Sequence, residues 1–205
     1  MLLKRALSPT TMLTQLATVK ARLSILPGDT SQDDLLTRVI QGVSARFDRE
    51  TGRVLARTVG ATHEFPASEK EILPPSYPIE AVTKFEVKEN EAGGWVEQTG
   101  VDYLIRRTCV ISLSAELSPL SSQLGRVTYS GGYVLPGTTP GAGQTALPAD
   151  LENAATEQVA AWSYNRDKLG LIRHWPSSGT YVVLSQMPLL SWVAATLRRY
   201  QRWVV

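Results

Sequence analysis

The sequence predicts an α+β protein: a helical bundle of about four helices with a small antiparallel β-sheet inserted between the second helix and the third. Three observations carry this. Apolar residues recur with a helical period near both ends of the chain. Between Arg53 and Tyr133 the period shortens to two and β-branched residues gather. Val134–Leu147 is a Gly-, Pro- and Thr-rich linker that separates the strands from the second helical part. Each helical end has an apolar face that needs a partner, so the simplest economy packs the two ends together and treats the sheet as an excursion. The expected organisation is an arm over 1–13, a helical body over 14–52 and 148–205, a β insertion over 53–133 and a linker over 134–147.

In chain order, Thr14 is placed to cap a short helix through Leu23, with Leu16, Val19 and Leu23 on one face. Pro27-Gly28-Asp29 breaks it. Ser31 with Asp34 forms a weak capping box for a helix to about Glu50, on which Leu35, Leu36, Val39, Ile40, Val43 and Phe47 share an arc. Gly52 is placed to end that helix as a left-handed cap. Val54–Val59, the Val82/Phe85/Val87 alternation, Trp95-Val96 after an Ala92-Gly93-Gly94 turn, Tyr103–Arg106, Cys109–Leu113 and Arg126–Ser130 read as strands. Leu73–Ile79, with prolines at 74, 75 and 78, must be extended. Pro148 opens a helix to about Arg166, whose Ala154 and Ala155 allow close approach of a neighbour. Ser185 caps the last helix. There Leu189, Trp192, Val193, Leu197, Tyr200 and Val204 share a face opposite Arg198, Arg199 and Arg202.

The 205 residues are 43% apolar and 20% charged, enough for a core and against wholesale disorder. No run of eighteen apolar residues suggests a membrane span, and the N-terminus lacks the apolar core of a signal peptide. The net charge of +2 is unevenly spread: ten basic and fourteen acidic residues lie between 31 and 120, six basic and one acidic from 160 onward. Such a dipolar chain suits head-to-tail contact with its own copies or with an acidic partner, and is too mildly basic to announce a nucleic-acid binder.

No constellation carries chemistry. The glycines of 137–143 lack the Gly-Lys-Ser/Thr of a phosphate loop. Asp29, Asp33 and Asp34 lack calcium-loop spacing. Ser163 has no nucleophile elbow, and His63 and His174 stand far apart with no second ligand near either. The lone Cys109 reads as a small buried hydrophobe. No catalytic residue, cofactor or metal is expected. The unusual feature is C-terminal: Trp162, Trp175, Trp192 and Trp203 keep company with Arg166, Arg173, Arg198, Arg199 and Arg202. The plain reading is a core helix with a solvated basic face; the other is a protein interface, where Trp, Tyr and Arg dominate.

Several short motifs in order resemble a known family. Leu16-Ala17-Thr18-Val19-Lys20-Ala21-Arg22-Leu23, Asp33-Asp34-Leu35-Leu36 and the helix end Phe47-Asp48-Arg49-Glu50-Thr51-Gly52-Arg53 are followed by Leu73-Pro74-Pro75 and Tyr77-Pro78-Ile79. Asp102-Tyr103, Val127-Thr128-Tyr129-Ser130-Gly131-Gly132-Tyr133, Leu147-Pro148-Ala149-Asp150-Leu151 and Asn165-Arg166 complete the course. Together they resemble the head–tail connector (adaptor) proteins of tailed double-stranded DNA bacteriophages and their relatives in gene transfer agents, over most of residues 14–201. Residues 167–184 hold no family landmark.

The resemblance implies a non-enzymatic virion component, made in the host cytoplasm. It would form a homo-oligomeric ring, twelvefold in the family, under the portal protein. That ring would extend the channel for packaged DNA without reading its sequence, and seat a stopper or other neck or tail protein. A neighbouring neck role is the alternative, with a small enzyme or a DNA-binding regulator further behind; no membrane is involved. The expected portal contact is the C-terminal segment: Trp192, Arg198, Arg199, Tyr200, Arg202, Trp203, Val204 and Val205. Its terminal position, hydrophobic tail and arginines suited to partner carboxylates motivate that choice.

Overall fold

The computed structural model describes residues 11–120, 122–166 and 188–202. The expectations for the first ten residues, for His174, Trp175 and Ser185, and for Trp203, Val204 and Val205 lie outside them. Among the described residues there are four helices: α1 (Leu16–Arg22), α2 (Asp33–Thr51), α3 (Ala149–Tyr164) and α4 (Ser191–Arg198). The strands are β1 (Thr58–Pro66), β2 (Glu71–Ile72), β3 (Ile79–Lys88), β4 (Val96–Gln98), β5 (Tyr103–Arg106), β6 (Val110–Leu113), β7 (Leu124–Gly131), β8 (Tyr133–Val134) and β9 (Thr145–Ala146).

The chain divides into two units. One contains the described residues up to Thr51 and from Leu147 onward; the other is built on Gly52–Ala146. The expectation of a helical bundle with a small inserted sheet is corrected. With 26% strand against 30% helix among the described residues, in three sheets, the fold is a sheet-rich α+β fold. The physical reason is that the strands do not need the helices for a core. Phe65, Ile72, Ile79, Phe85, Ile111, Leu113, Val127 and Tyr129 form a buried cluster of their own.

In the helical unit, α3 packs against α1, α2 and α4. Leu151, Ala154, Ala155 and Val159 are fully buried, and the two alanines remove the bulk that would hold neighbours away. On α2 the buried residues Leu36, Ile40, Val43, Ser44 and Phe47 follow the helical period. Gly52, at φ 64°, follows its last residue in the left-handed conformation that glycine adopts without a Cβ penalty.

In the sheet unit a four-stranded antiparallel sheet runs in the order β1-β7-β3-β4, and a three-stranded sheet in the order β2-β6-β5. β8 and β9 form a short parallel pair. Along β7, buried Gly125, Val127, Tyr129 and Gly131 alternate with half-buried Arg126, Thr128 and Ser130.

Several element boundaries differ from the sequence expectation. The β-branched Val54–Val59 stretch is extended, but the ladder begins at Thr58 and continues through Pro66. In its first half Val54 N–H bonds to the Pro75 carbonyl, and Ala56 forms an isolated parallel bridge with Tyr133 through Arg57 N–H to the Tyr133 carbonyl and Tyr133 N–H to the Leu55 carbonyl. The linker read over 134–147 contains three of the four residues of the β8–β9 pair, because a parallel bridge joins residues twelve apart that no local pattern links.

Candidate functional site

The C-terminal helix is shorter than its apolar pattern suggests. α4 ends at Arg198, with Arg199 as its cap and Tyr200 N–H bonded to the Leu197 carbonyl. Val193 and Leu197 are buried and tie the helix to the core. Trp192 does not join them: it is 42% exposed. At 100° per residue it shares a strip with Ala195 and Arg199, which are also exposed. Arg198 is exposed as well. An aromatic side chain and two guanidinium groups are therefore presented on one short helix whose other face is anchored.

Tyr200 and Arg202 have a different place. Tyr200 is half-buried, and its hydroxyl donates to Asp150 Oδ1 at 2.7 Å. Arg202 is not on the helix; its backbone N–H donates to the Thr51 carbonyl at 2.8 Å, and Gln201 Nε2 reaches the Glu50 carbonyl. These bonds satisfy carbonyls at the end of α2, which the helix itself leaves without partners. Entry to α4 is set by Gln158, fully buried on α3. Its amide accepts from Leu190 N–H at 2.8 Å and donates to the Pro188 carbonyl at 3.3 Å.

Lys20 is a second buried polar group that shapes the helical unit. Its ammonium donates to the carbonyls of Pro27 and Asp29 and to Asp33 Oδ1. One cation thus organises the turn between α1 and α2 and meets the acidic start of α2. The Asp29 carboxyl is held below the usual carboxylate range by its hydrogen bonds to Ser31. Thr14, expected as a helix cap, makes no cap bond; its hydroxyl pairs with Thr156 on α3 at 2.7 Å.

The motifs of the middle region converge in the sheet unit. The Arg53 guanidinium lies 3.4 Å from the Tyr77 ring centroid and 5.4 Å from that of Tyr133, and donates to the Tyr77 carbonyl. Fully buried Tyr129 accepts a hydrogen bond from Ser76 N–H at its hydroxyl. Gly131 and Gly132 leave room for backbone: a Cβ on Gly131 would stand 2.6 Å from the Ser76 carbonyl oxygen, and one on Gly132 2.5 Å from that of Ala56. Towards the other end of β3 and β7, buried Glu86 accepts from Arg126 at 2.8 Å and from Lys84 at 2.9 Å, and Arg126 stacks 4.2 Å over the Trp95 ring. The Arg126 hydrogen bond is the main cause that holds the Glu86 carboxyl below its ordinary range, with Lys84 adding to it against the opposing effect of burial.

Among the described residues no group of three or more His, Cys, Asp or Glu side chains is placed to hold a metal ion. His63 lies on β1 opposite Val127. Cys109 is half-exposed in the turn between β5 and β6, not the buried hydrophobe expected. No described helix is long and apolar enough to cross a membrane. One surface escaped the sequence reading: every residue of β5 is exposed. The signal was present, since Tyr103-Leu104-Ile105 is continuously apolar where a half-buried strand would alternate.

No family model matches the chain, and no curated protein matches it. Solved structures do. A chain in the neck of an empty gene transfer agent particle, computed with sixfold symmetry, superposes with a TM-score of 0.59 at 15% identity, over 94% of this chain and 91% of that one. A chain in the neck of the native particle, computed with twelvefold symmetry, gives a TM-score of 0.53 at 16% identity, over 100% and 97%. A chain from the virion of the native particle gives 0.54 at 15% identity, over 94% and 91%. The chain shares their fold. The matched span takes in residues of both units.

Proposed function

We propose that the chain is a structural component of the neck of a tailed phage or phage-like particle, and within it the head–tail connector (adaptor). As such it forms a ring under the portal, extends the DNA channel and seats the next neck component. The observation that carries the reading is the likeness over nearly the whole length to neck chains of gene transfer agent particles. The ordered motifs that resemble connector proteins support the finer assignment. So does an arrangement in which an anchored helix presents aromatic and basic side chains.

The proposed portal contact comprises Trp192, Arg198 and Arg199, exposed on α4, with Tyr200 and Arg202, which also brace the helical unit, and with Trp203, Val204 and Val205, which lie outside the described residues. Guanidinium groups suit carboxylates on a partner, and a large aromatic side chain anchors such contacts. DNA in the channel is contacted through phosphates only, since it must slide.

Cryo-electron microscopy of purified particles tests the reading. The expected result is a ring of this chain directly against the portal. Density one ring further along assigns the stopper or tail-completion role instead, and absence of the chain from particles overturns the neck reading.

A further inference from the structure

Among the described residues most cations have partners: Arg22 meets Glu157, Arg57 meets Glu80 and Arg106 meets Glu71. Arg38, Arg49, Arg107, Arg198 and Arg199 are exposed and have neither an ion pair nor a side-chain hydrogen bond. Arg198 and Arg199 go with exposed Trp192 at α4, and Arg107 is in the turn after β5. Arg38 and Arg49 lie together on α2.

At about 100° per residue Arg38, Gly42, Ala45 and Arg49 fall within an arc of about 60°, opposite the buried Ile40 and Phe47. All four are exposed. The Cα atoms of the two arginines are about 16 Å apart along the axis, at a rise of about 1.5 Å per residue. Between them the strip carries nothing larger than a methyl group. Gly42 is not explained by the fold. After proline, glycine is the least favourable residue for a helix interior, yet a Cβ here would meet nothing within 4 Å. What Gly42 and Ala45 provide is room for an outside surface to come within reach of both guanidinium groups. The strip ends in the first turn of α2, where exposed Asp34 repels anions.

We propose that this strip of α2 faces the channel, and that Arg38 and Arg49 each contact a phosphate of the packaged duplex; this rests on the ring reading above. Charge complementarity selects an anionic partner, and the shape of the strip selects a nucleic-acid backbone over a protein. A protein interface is held by large side chains packed near its centre, and the centre of this strip has none. A sliding duplex needs the reverse: separated cations, no anchor and no group that reads base edges. Repeated around a ring, two weak contacts per subunit hold the duplex on the axis without arresting it.

Photo-cross-linking of the full chain in particles tests this. In a Cys109→Ser background, Ala45→Cys on the strip and Ala195→Cys on α4 are labelled singly with a short thiol-reactive aryl azide. The labelled chains are assembled on DNA-filled, portal-bearing heads and irradiated. Ala45→Cys is expected to give a covalent adduct with packaged DNA, and Ala195→Cys none. An adduct of position 45 with the portal or with another copy means that the strip meets protein and overturns the proposal. So does the lack of any adduct from particles that hold the ring.

The salt dependence of duplex binding by the purified protein supplies the second arm. Each phosphate contact gives a slope of about −0.9 in log affinity against log salt. Removing two therefore shrinks the loss of affinity between about 50 and about 200 mM salt by about twelvefold. Arg38→Gln with Arg49→Gln is expected to do this at a melting temperature close to that of the wild type, since both side chains are exposed. Arg198→Gln with Arg199→Gln is expected to leave the slope unchanged. An unchanged slope in the α2 variant overturns the phosphate contacts and leaves the ring reading intact, as does a wild type that binds no duplex at the lower salt. Particles that lack the chain overturn the ring reading itself.

Discussion

Gly132 sits at φ 103°, with the Ala56 carbonyl oxygen where a side chain would begin. Replacing it with alanine adds backbone strain to a clash with main chain that cannot swing aside. Gly132→Ala is expected to lower stability by about 2–4 kcal/mol, read from chemical denaturation. Gly93→Ala is the control, since the nearest atom there is a side-chain oxygen of Asn90 at ordinary contact distance. Glu86 offers a prediction with pH. Its folded pKa is depressed, so its contribution is present above the unfolded value of about 4.3 and is lost as pH falls through the folded value. The melting temperature of the wild type is expected to fall more steeply than that of Glu86→Gln as pH is lowered from about 5 to about 3. Parallel curves would show that Arg126 and Lys84 do not hold the carboxylate. The sequence announced some such residues and hid others. Gly52 was legible as a cap because a left-handed glycine after a helix is a local device. Thr14 was misread because its partner, Thr156, lies 142 residues away.

At the scale of elements, periodicity located α1, α2 and α3 to within a few residues, because an amphipathic face is written along the element itself. The strands were harder. Val54–Ala56 lies in a stretch read as a strand, yet finds an isolated parallel bridge to Tyr133 in place of a ladder; Glu71–Ile72 is too short to carry a period and is made a strand by β6. The weight of the sheet was missed for the same reason, since strands read one by one do not reveal that they bury a common core. On α4 the apolar pattern was read as one face, whereas Val193 and Leu197 are buried and Trp192 is exposed. This separates two expectations. Leu197→Ala is expected to cost about 2–5 kcal/mol of stability as a core truncation. Trp192→Ala with Arg199→Glu is expected to leave the melting temperature unchanged while heads remain tailless or leak DNA. If attachment to portal-bearing heads is normal in the double variant, the contact lies elsewhere. The test avoids deleting from Tyr200, since Tyr200 and Arg202 hold the helical unit together through Asp150 and Thr51.

For the whole molecule, the nearly balanced charge bears on DNA. The chain has 21 Lys and Arg against 19 Asp and Glu, and several exposed cations are already neutralised: Arg22 by Glu157, Arg46 by Glu50 and Arg106 by Glu71. A subunit with this surface presents few cations to phosphates. A ring that DNA slides through works only if each contact is weak and blind to sequence, because a tight specific contact would arrest the passage it surrounds. The purified protein is therefore expected to bind duplex DNA weakly and without a footprint. With two or three phosphate contacts per chain, affinity should fall about tenfold to fortyfold between about 50 and about 200 mM salt, measured by fluorescence anisotropy. A steeper slope would mean a basic channel wall built from more of the chain than its exposed arginines. A protected sequence at moderate salt would remove the sliding argument and, with it, the reason to read the balanced charge as a channel property.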